Sequence, residues 1–348
     1  MSKSSERILD QMIHSDLKKL PPRSLPNWFI RQEAMGVLNM LEPFAVSKLG
    51  ANGIEPGIDT EAIQDRQRTP ISKAHKDIEP AIMLSIDFQV GFCYPGASLY
   101  VKNAENDCIC AAKLLLKYPE AFSALAATLD THLQYQIFHP SWWVNDRGEH
   151  PTPFTEISMN DIRAGKWKAN NQHHIKSMQY IEELEKQGLF KLMIWPFHTM
   201  LGTVDHALMP VLAKAGFYHG LLRHTQMYLE TKGNHPLTEH YSVLGPEVKE
   251  LGGAPLVGFN TNFFQMLLKY HRIVVNGEAA DFCVLRSMQD FLSMIAKTDP
   301  TALEKVIILK DCTSPVFPGG EKKLLDLAQQ YQGIKLREST QPIHEILE

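Results

Sequence analysis

Residues 271–283 read HRIVVNGEAADFC. The first six, HRIVVN, form a short apolar run rich in β-branched residues, the composition of a buried strand. Small residues follow at Gly277, Ala279 and Ala280, and from Phe282 the pattern turns helical over 282–296. A buried strand that hands over to a helix through small residues is the repeating unit of an α/β sheet.

The same alternation continues on both sides of this stretch. Apolar runs predict strands over 81–87 (AIMLSID), 124–128, 192–195 and, more faintly, 220–222, and over 305–309 (KVIIL). Helical patterns over 107–117, 175–187 and 205–215 lie between them. The reading is a Rossmann-like, three-layer α/β fold, with a mainly parallel six-stranded sheet and helices on both faces. In such sheets ligands bind outside the carboxyl ends of the strands. Residues 141–190 form a long stretch with two tryptophans and several prolines. A segment of that length reads as a lid or wall over the site, or as a surface excursion with short helices of its own.

Residues 1–78 differ in texture. Amphipathic patterns over 7–19 and 30–46 precede a polar stretch over 50–76 with Gly53, Pro56, Gly57 and Pro70. They read as a helical extension and linker, leaving 79–348 as the main domain with an insertion at about 141–190. Net charge is −4, with no block of like charge, which argues against a nucleic-acid surface. Five cysteines thinly spread over 348 residues do not make a disulfide framework. The first twenty residues lack the apolar core of a signal peptide, and no run is long enough for a membrane span. The expectation is a cytoplasmic protein with no membrane or nucleic-acid partner.

Chemistry-bearing residues gather at the predicted strand ends. Asp87 closes the first strand, where burial would raise its pKa toward that of a useful base; a turn or capping aspartate is the plainer alternative. Asp130 and His132 follow the second strand, and His198 follows LMIWPF. This Asp-x-His pair plus a third ligand suits a divalent metal with open positions, and zinc, iron and manganese all fit. His139 is a competing ligand, ranked behind His198. Lys232, followed by glycine, can bring a cation into a cleft. Cys283 begins a helix, whose dipole is expected to lower its pKa toward a reactive thiolate. Taken alone, a cysteine here is more often inert packing.

Taken in chain order, these segments resemble the nicotinamidase branch of the isochorismatase-like cysteine hydrolases. SIDFQVGF resembles the strand-one motif, matching Asp87 as the base with Gln89 and Phe92 lining the pocket. LDTHLQYQIFHP resembles the metal motif at Asp130 and His132, and IWPFHTMLGT the motif of the third ligand at His198. ETKGNHPLTEHYSVL resembles the segment of the catalytic lysine, matching Lys232, Gly233, Tyr241 and Ser242. NGEAADFCVLRSMQD resembles the nucleophile motif at Cys283. The chain departs from the pattern at Thr131, Thr199 and Ala280, and Glu278 stands where an apolar residue is common.

The resemblance covers roughly 81–318 and implies a thiol amidohydrolase acting on nicotinamide or a related small carboxamide. It implies catalytic roles for Asp87, Lys232 and Cys283. Backbone N–H groups of Ala279 and Cys283 would form an oxyanion hole, with a cis peptide before Ala279. Gln89, Phe92 and Trp195 would contact substrate, and zinc would sit on Asp130, His132 and His198. It extends to a homo-oligomeric state. Two alternatives stay open: a hydrolase of another small amide, and a non-catalytic ligand-binding protein that engages a partner through its N-terminal extension.

Overall fold

The computed structural model describes residues 72–188 and 190–348. The helices expected over 7–19 and 30–46, and nearly all of the 50–76 linker, lie outside the described residues. Six strands build the central sheet: β1 (Ala81–Ile86), β2 (Ala124–Asp130), β3 (Tyr228–Lys232), β4 (Arg272–Gly277), β5 (Val306–Leu309) and β6 (Lys335–Arg337). They are ordered β6-β5-β4-β1-β2-β3, and every pairing is parallel.

The chain starts in the middle of the sheet, builds β2 and β3 to one side, then returns to build β4, β5 and β6 on the other. Right-handed crossovers in opposite directions put their helices on opposite faces. Accordingly α1 (Ala104–Lys117) packs against α3 (Pro210–Arg223), while α5 (Cys283–Thr298) packs against α6 (Glu321–Gln330). Helices α2 (His174–Gln187) and α4 (Thr261–Leu268) complete the longer set. β1 and β5 are buried throughout, and β4 is buried from its second residue onward. Covered on both faces, such strands are apolar without alternation.

Two of the six expected strands belong elsewhere. Residues 220–222 are the last turn of α3, whose buried residues Leu212, Ala215, Gly216, His219 and Leu222 recur at helical spacing. Leu192–Met193 is a strand, but it pairs antiparallel with Glu156–Ile157 outside the main sheet. Their places are taken by β3 (YLETK) and β6 (KLR), the two edge strands. An edge strand is half solvated and polar, so apolar runs do not announce it. The expected 205–215 helix is a 3-10 turn, Val204–His206, followed by α3 from Pro210.

The 141–190 segment folds onto the domain through α2, the short helix Met159–Arg163 and two two-stranded pairings. Ser158 caps that short helix in a capping box with Asp161. Among the described residues no helix is long and apolar enough to cross a membrane. All five cysteines are free.

Candidate active site

Strand order reverses between β1 and β4, and the crevice at their carboxyl ends is where this architecture binds ligands. The register brings Ile86 beside Gly277 at the last rung of the β1–β4 pairing. Only glycine fits there: a Cβ on Gly277 would lie 2.1 Å from the Ile86 carbonyl oxygen, and its φ is +130°. Beyond that rung the two chains diverge. Asp87, in the left-handed region at φ 49°, turns one way; the Glu278–Ala279 peptide, which is cis, turns the other and leads into Cys283 at the start of α5.

Strands β2 and β3 bring in the other groups. Their pairing ends on Asp130 beside Lys232. Lys232 is buried, and its Nζ lies 2.8 Å from Asp87 Oδ2 and 2.9 Å from Asp130 Oδ1. It donates also to the His240 carbonyl at 2.9 Å and reaches Cys283 Sγ at 3.5 Å. Burial works against the ammonium, but the carboxylates of Asp130 and Asp87 outweigh it and hold the Lys232 pKa well above its ordinary value. Asp87 is pushed up by burial, with Lys232 pulling the other way. Its Oδ1 accepts from Thr128 Oγ1 at 2.5 Å, and the Asp87 N–H donates to the same hydroxyl. Asp87 Oδ2 receives no aligned hydrogen bond despite its nearness to Lys232.

Cys283 departs from expectation. The helix start does not make it a thiolate: burial pushes its pKa well above the ordinary value, the nearby carboxylates add to this, and Lys232 offsets only part. Burial thus favours the protonated thiol, which lies beside the Asp87–Lys232–Asp130 row.

Asp130, His132 and His198, all buried, converge as the sequence led one to expect. One ligand atom from each lies within 4.8 Å of the others. The His132 Nε2–Asp130 Oδ2 distance is 2.9 Å and the His198 Nε2–Asp130 Oδ2 distance 3.7 Å. The opposite ring nitrogens are occupied: His132 Nδ1 faces the Gly233 carbonyl at 3.1 Å, and His198 Nδ1 faces that of Pro196 at 2.8 Å. Those bonds put the protons on Nδ1 and turn both Nε2 lone pairs inward, the arrangement of metal-ligating histidines. Buried lone pairs facing a carboxylate call for a cation between them, so the donor set fits a divalent metal. His139 stays outside this group, its ring packed against Phe197 at 4.4 Å and His132 at 6.0 Å.

A cavity of about 20 Å³ joins these parts, lined by Phe92, Asp130, Trp195, His198, Ala279 and Cys283. Phe92 sits edge-on to the His198 ring at 5.3 Å. Gln89 is corrected: it is fully buried, and its amide bonds the Asp130 backbone on both sides and the His206 carbonyl. It braces the end of β2 and is not part of the cavity lining. Leu99, Glu239, Tyr241, Phe282 and Val316 also line the cavity. Glu239 and Tyr241 lie in the loop after Lys232, which was legible as a site segment. Thr128 precedes Asp130 by two on the same face of β2, a spacing that could have marked it.

Phe282 borders a second, outer cavity of about 650 Å³, whose wall includes Glu156, Glu185 and Phe190 of the 141–190 segment. Its ring lies 5.1 Å from Trp195 and Tyr241, 5.6 Å from Phe190 and 6.0 Å from Phe317.

No protein-family model and no curated protein matches the chain. Solved structures with a similar chain path include a nicotinamidase/pyrazinamidase from Acinetobacter baumanii, at 20% identity and TM-score 0.48, covering 76% of this chain and 99% of that one. The yeast nicotinamidase bound to the inhibitor nicotinaldehyde matches at 17% and 0.47, covering 74% and 99%. The pyrazinamidase of Pyrococcus horikoshii in complex with zinc matches at 16% and 0.43, covering 74% and 98%. Similarity of this order concerns the path of the chain and leaves the chemistry to be argued from the site.

Proposed function

We propose that residues 79–348 form a thiol-dependent amidohydrolase that cleaves nicotinamide, or a related small heteroaromatic carboxamide, to the acid and ammonia. Residues 1–78 are an appendage to it. One observation carries the reading. A buried lysine lies 3.5 Å from the Cys283 sulfur and bridges Asp87 and Asp130, so the nucleophile, base and metal-type residues form one connected group.

Asp87 Oδ2 takes the Cys283 proton as the sulfur attacks the carboxamide carbon. The raised pKa of Asp87 suits it to this exchange with a thiol. The oxyanion is held by the N–H groups of Ala279 and Cys283. Asp87 returns the proton to the departing nitrogen and ammonia leaves a thioester. Asp87 then takes a proton from water as it attacks the thioester, the C–S bond breaks to release the acid, and Asp87 passes the proton to the sulfur to restore the thiol. Lys232 keeps two carboxylates tolerable in one buried site. A divalent metal on Asp130, His132 and His198, zinc in preference to iron or manganese, supplies a Lewis acid for a ring nitrogen. Phe92 and Trp195 flank the ring.

Ammonia release from nicotinamide, pyrazinamide and a set of heteroaryl and aliphatic amides tests this, with metal analysis on the same sample. Cys283→Ala should release none. Equal release by wild type and Cys283→Ala would defeat the mechanism.

A further inference from the structure

Glu278 immediately precedes Ala279, and its side chain is 0% exposed. Its carboxyl meets the buried carboxyl of Asp107, in the first turn of α1, within hydrogen-bonding reach. One oxygen of each group is occupied. Glu278 Oε2 accepts the Ser314 N–H at 3.2 Å, and Asp107 Oδ1 accepts from Asn103 Nδ2 at 2.9 Å. Glu278 Oε1 and Asp107 Oδ2 receive no well-aligned hydrogen bond, and the Ser314 side chain is the other group that bonds the Asp107 carboxyl. The titratable groups acting most strongly on the pair from outside it are carboxyls: Asp281 on Glu278, and Asp311 and Glu105 on Asp107. Two buried carboxyls in that setting hold one proton between them. Burial pushes both carboxyls up, Glu278 well above the ordinary carboxylate range.

The same turn is pinned through its backbone. Glu278 N–H donates to the Ile86 carbonyl at 2.8 Å and Ala280 N–H to that of Ser314 at 2.9 Å. The Phe282 and Val284 N–H groups both take the Ala279 carbonyl, each at 3.1 Å. The Ala279 and Cys283 N–H groups stand outside this set, and both residues line the inner cavity. The carboxyl pair is the turn's side-chain tie to α1.

We propose that Glu278, buried against Asp107 and bonded to the Ser314 N–H, is a positioning residue that holds the Ala279 N–H in place for the oxyanion. The inference rests on the hydrolase reading above, and its test does not require turnover. Pyridine-3-carbaldehyde adds reversibly to a thiol: the sulfur bonds to the carbonyl carbon, the C=O π bond breaks, and the oxygen takes the thiol proton. Its affinity, read by titration and by the hemithioacetal signal of the ¹³C-labelled aldehyde, reports the oxyanion site.

Glu278→Gln keeps a donor toward Asp107 and should bind the aldehyde within about threefold of wild type. Glu278→Ala should bind at least ~10-fold more weakly, as expected for a displaced oxyanion donor. Wild-type affinity should also fall at alkaline pH along a limb that Glu278→Gln lacks. Wild-type affinity in Glu278→Ala, or equal weakening in the glutamine and alanine variants, overturns the inference alone. If Glu278→Ala does not fold, the alkaline limb decides, and the same limb in wild type and Glu278→Gln overturns it. A wild type that takes no aldehyde defeats the hydrolase reading and this inference with it.

Discussion

The Gly233 carbonyl accepts the Nδ1 proton of His132 at 3.1 Å, tying the residue after Lys232 to a metal-type ligand just past the end of the neighbouring strand. Gln136 Nε2 donates to the same carbonyl at 2.6 Å. The glycine itself is compelled: its φ is +87°, and a Cβ would lie 2.5 Å from Asp130 Oδ1. Gly233→Ala should therefore displace both Asp130 and His132. A fall of about 10–100-fold in zinc affinity is expected from losing such an orienting contact. Zinc titration against a competing chelator measures it.

Lys232 separates two carboxylates that would otherwise face each other in the interior. Lys232→Met leaves Asp87 and Asp130 without their cation. The loss of one partner of a buried ionic group costs about 3–5 kcal/mol. Urea unfolding at neutral pH should show it, whereas Cys283→Ala, which removes only a neutral thiol, should unfold near the wild-type midpoint.

Asp87→Asn keeps the hydrogen-bonding shape but removes the proton acceptor. In the proposed mechanism no other group takes the proton from the sulfur. A drop in kcat of about 10²–10⁴ is expected for loss of a general base. KM should move far less, and initial rates of ammonia release separate the two.

Glu239 gives a stability prediction. Burial pushes its carboxyl up to about 8. Its folded pKa is above its unfolded one, so the folded protein binds the proton more tightly. Its contribution to stability is complete below the ordinary carboxylate range and is lost as pH rises through about 8. In metal-free protein, wild type should lose stability from pH 5 to pH 9 more steeply than Glu239→Gln. Thermal melts across that range decide it, and parallel curves would refute it.

The inner cavity of about 20 Å³ has room for about one water, so a ring must displace aromatic side chains to reach Cys283. Phe282 stands between this cavity and the outer one. Phe282→Ala should raise kcat/KM for bulky aryl amides relative to acetamide. Parallel measurement across an amide series tests the ratio.

What the sequence revealed and what it hid follow from burial. β1, β4 and β5 were legible because strands covered on both faces are unbroken apolar runs. β3 and β6 were not, because an edge strand such as YLETK is written in polar residues. At the site, Asp87, Asp130, His132, His198, Lys232 and Cys283 were recognisable by residue type and chain order. Gln89 was misassigned because its amide is consumed by the Asp130 backbone, a contact between residues 41 apart that no local pattern encodes. The charge state of Cys283 was hidden for a related reason. A helix start is visible in the sequence, but the depth of burial that outweighs it is not.

The position of Lys232 on β3 has a further consequence. Among the described residues β3 pairs only with β2, through five register pairs, and both Tyr228 and Leu229 are exposed. Edge elements open locally at lower free energy than the centre of a sheet. Unzipping this one strand would carry the ammonium away from both carboxylates while β1, β4 and β5 stayed intact. The Asp87–Lys232–Asp130 centre would then come apart well before the protein lost its shape. Amide exchange along 228–232, rather than the melting temperature, is the measure of how long that centre survives.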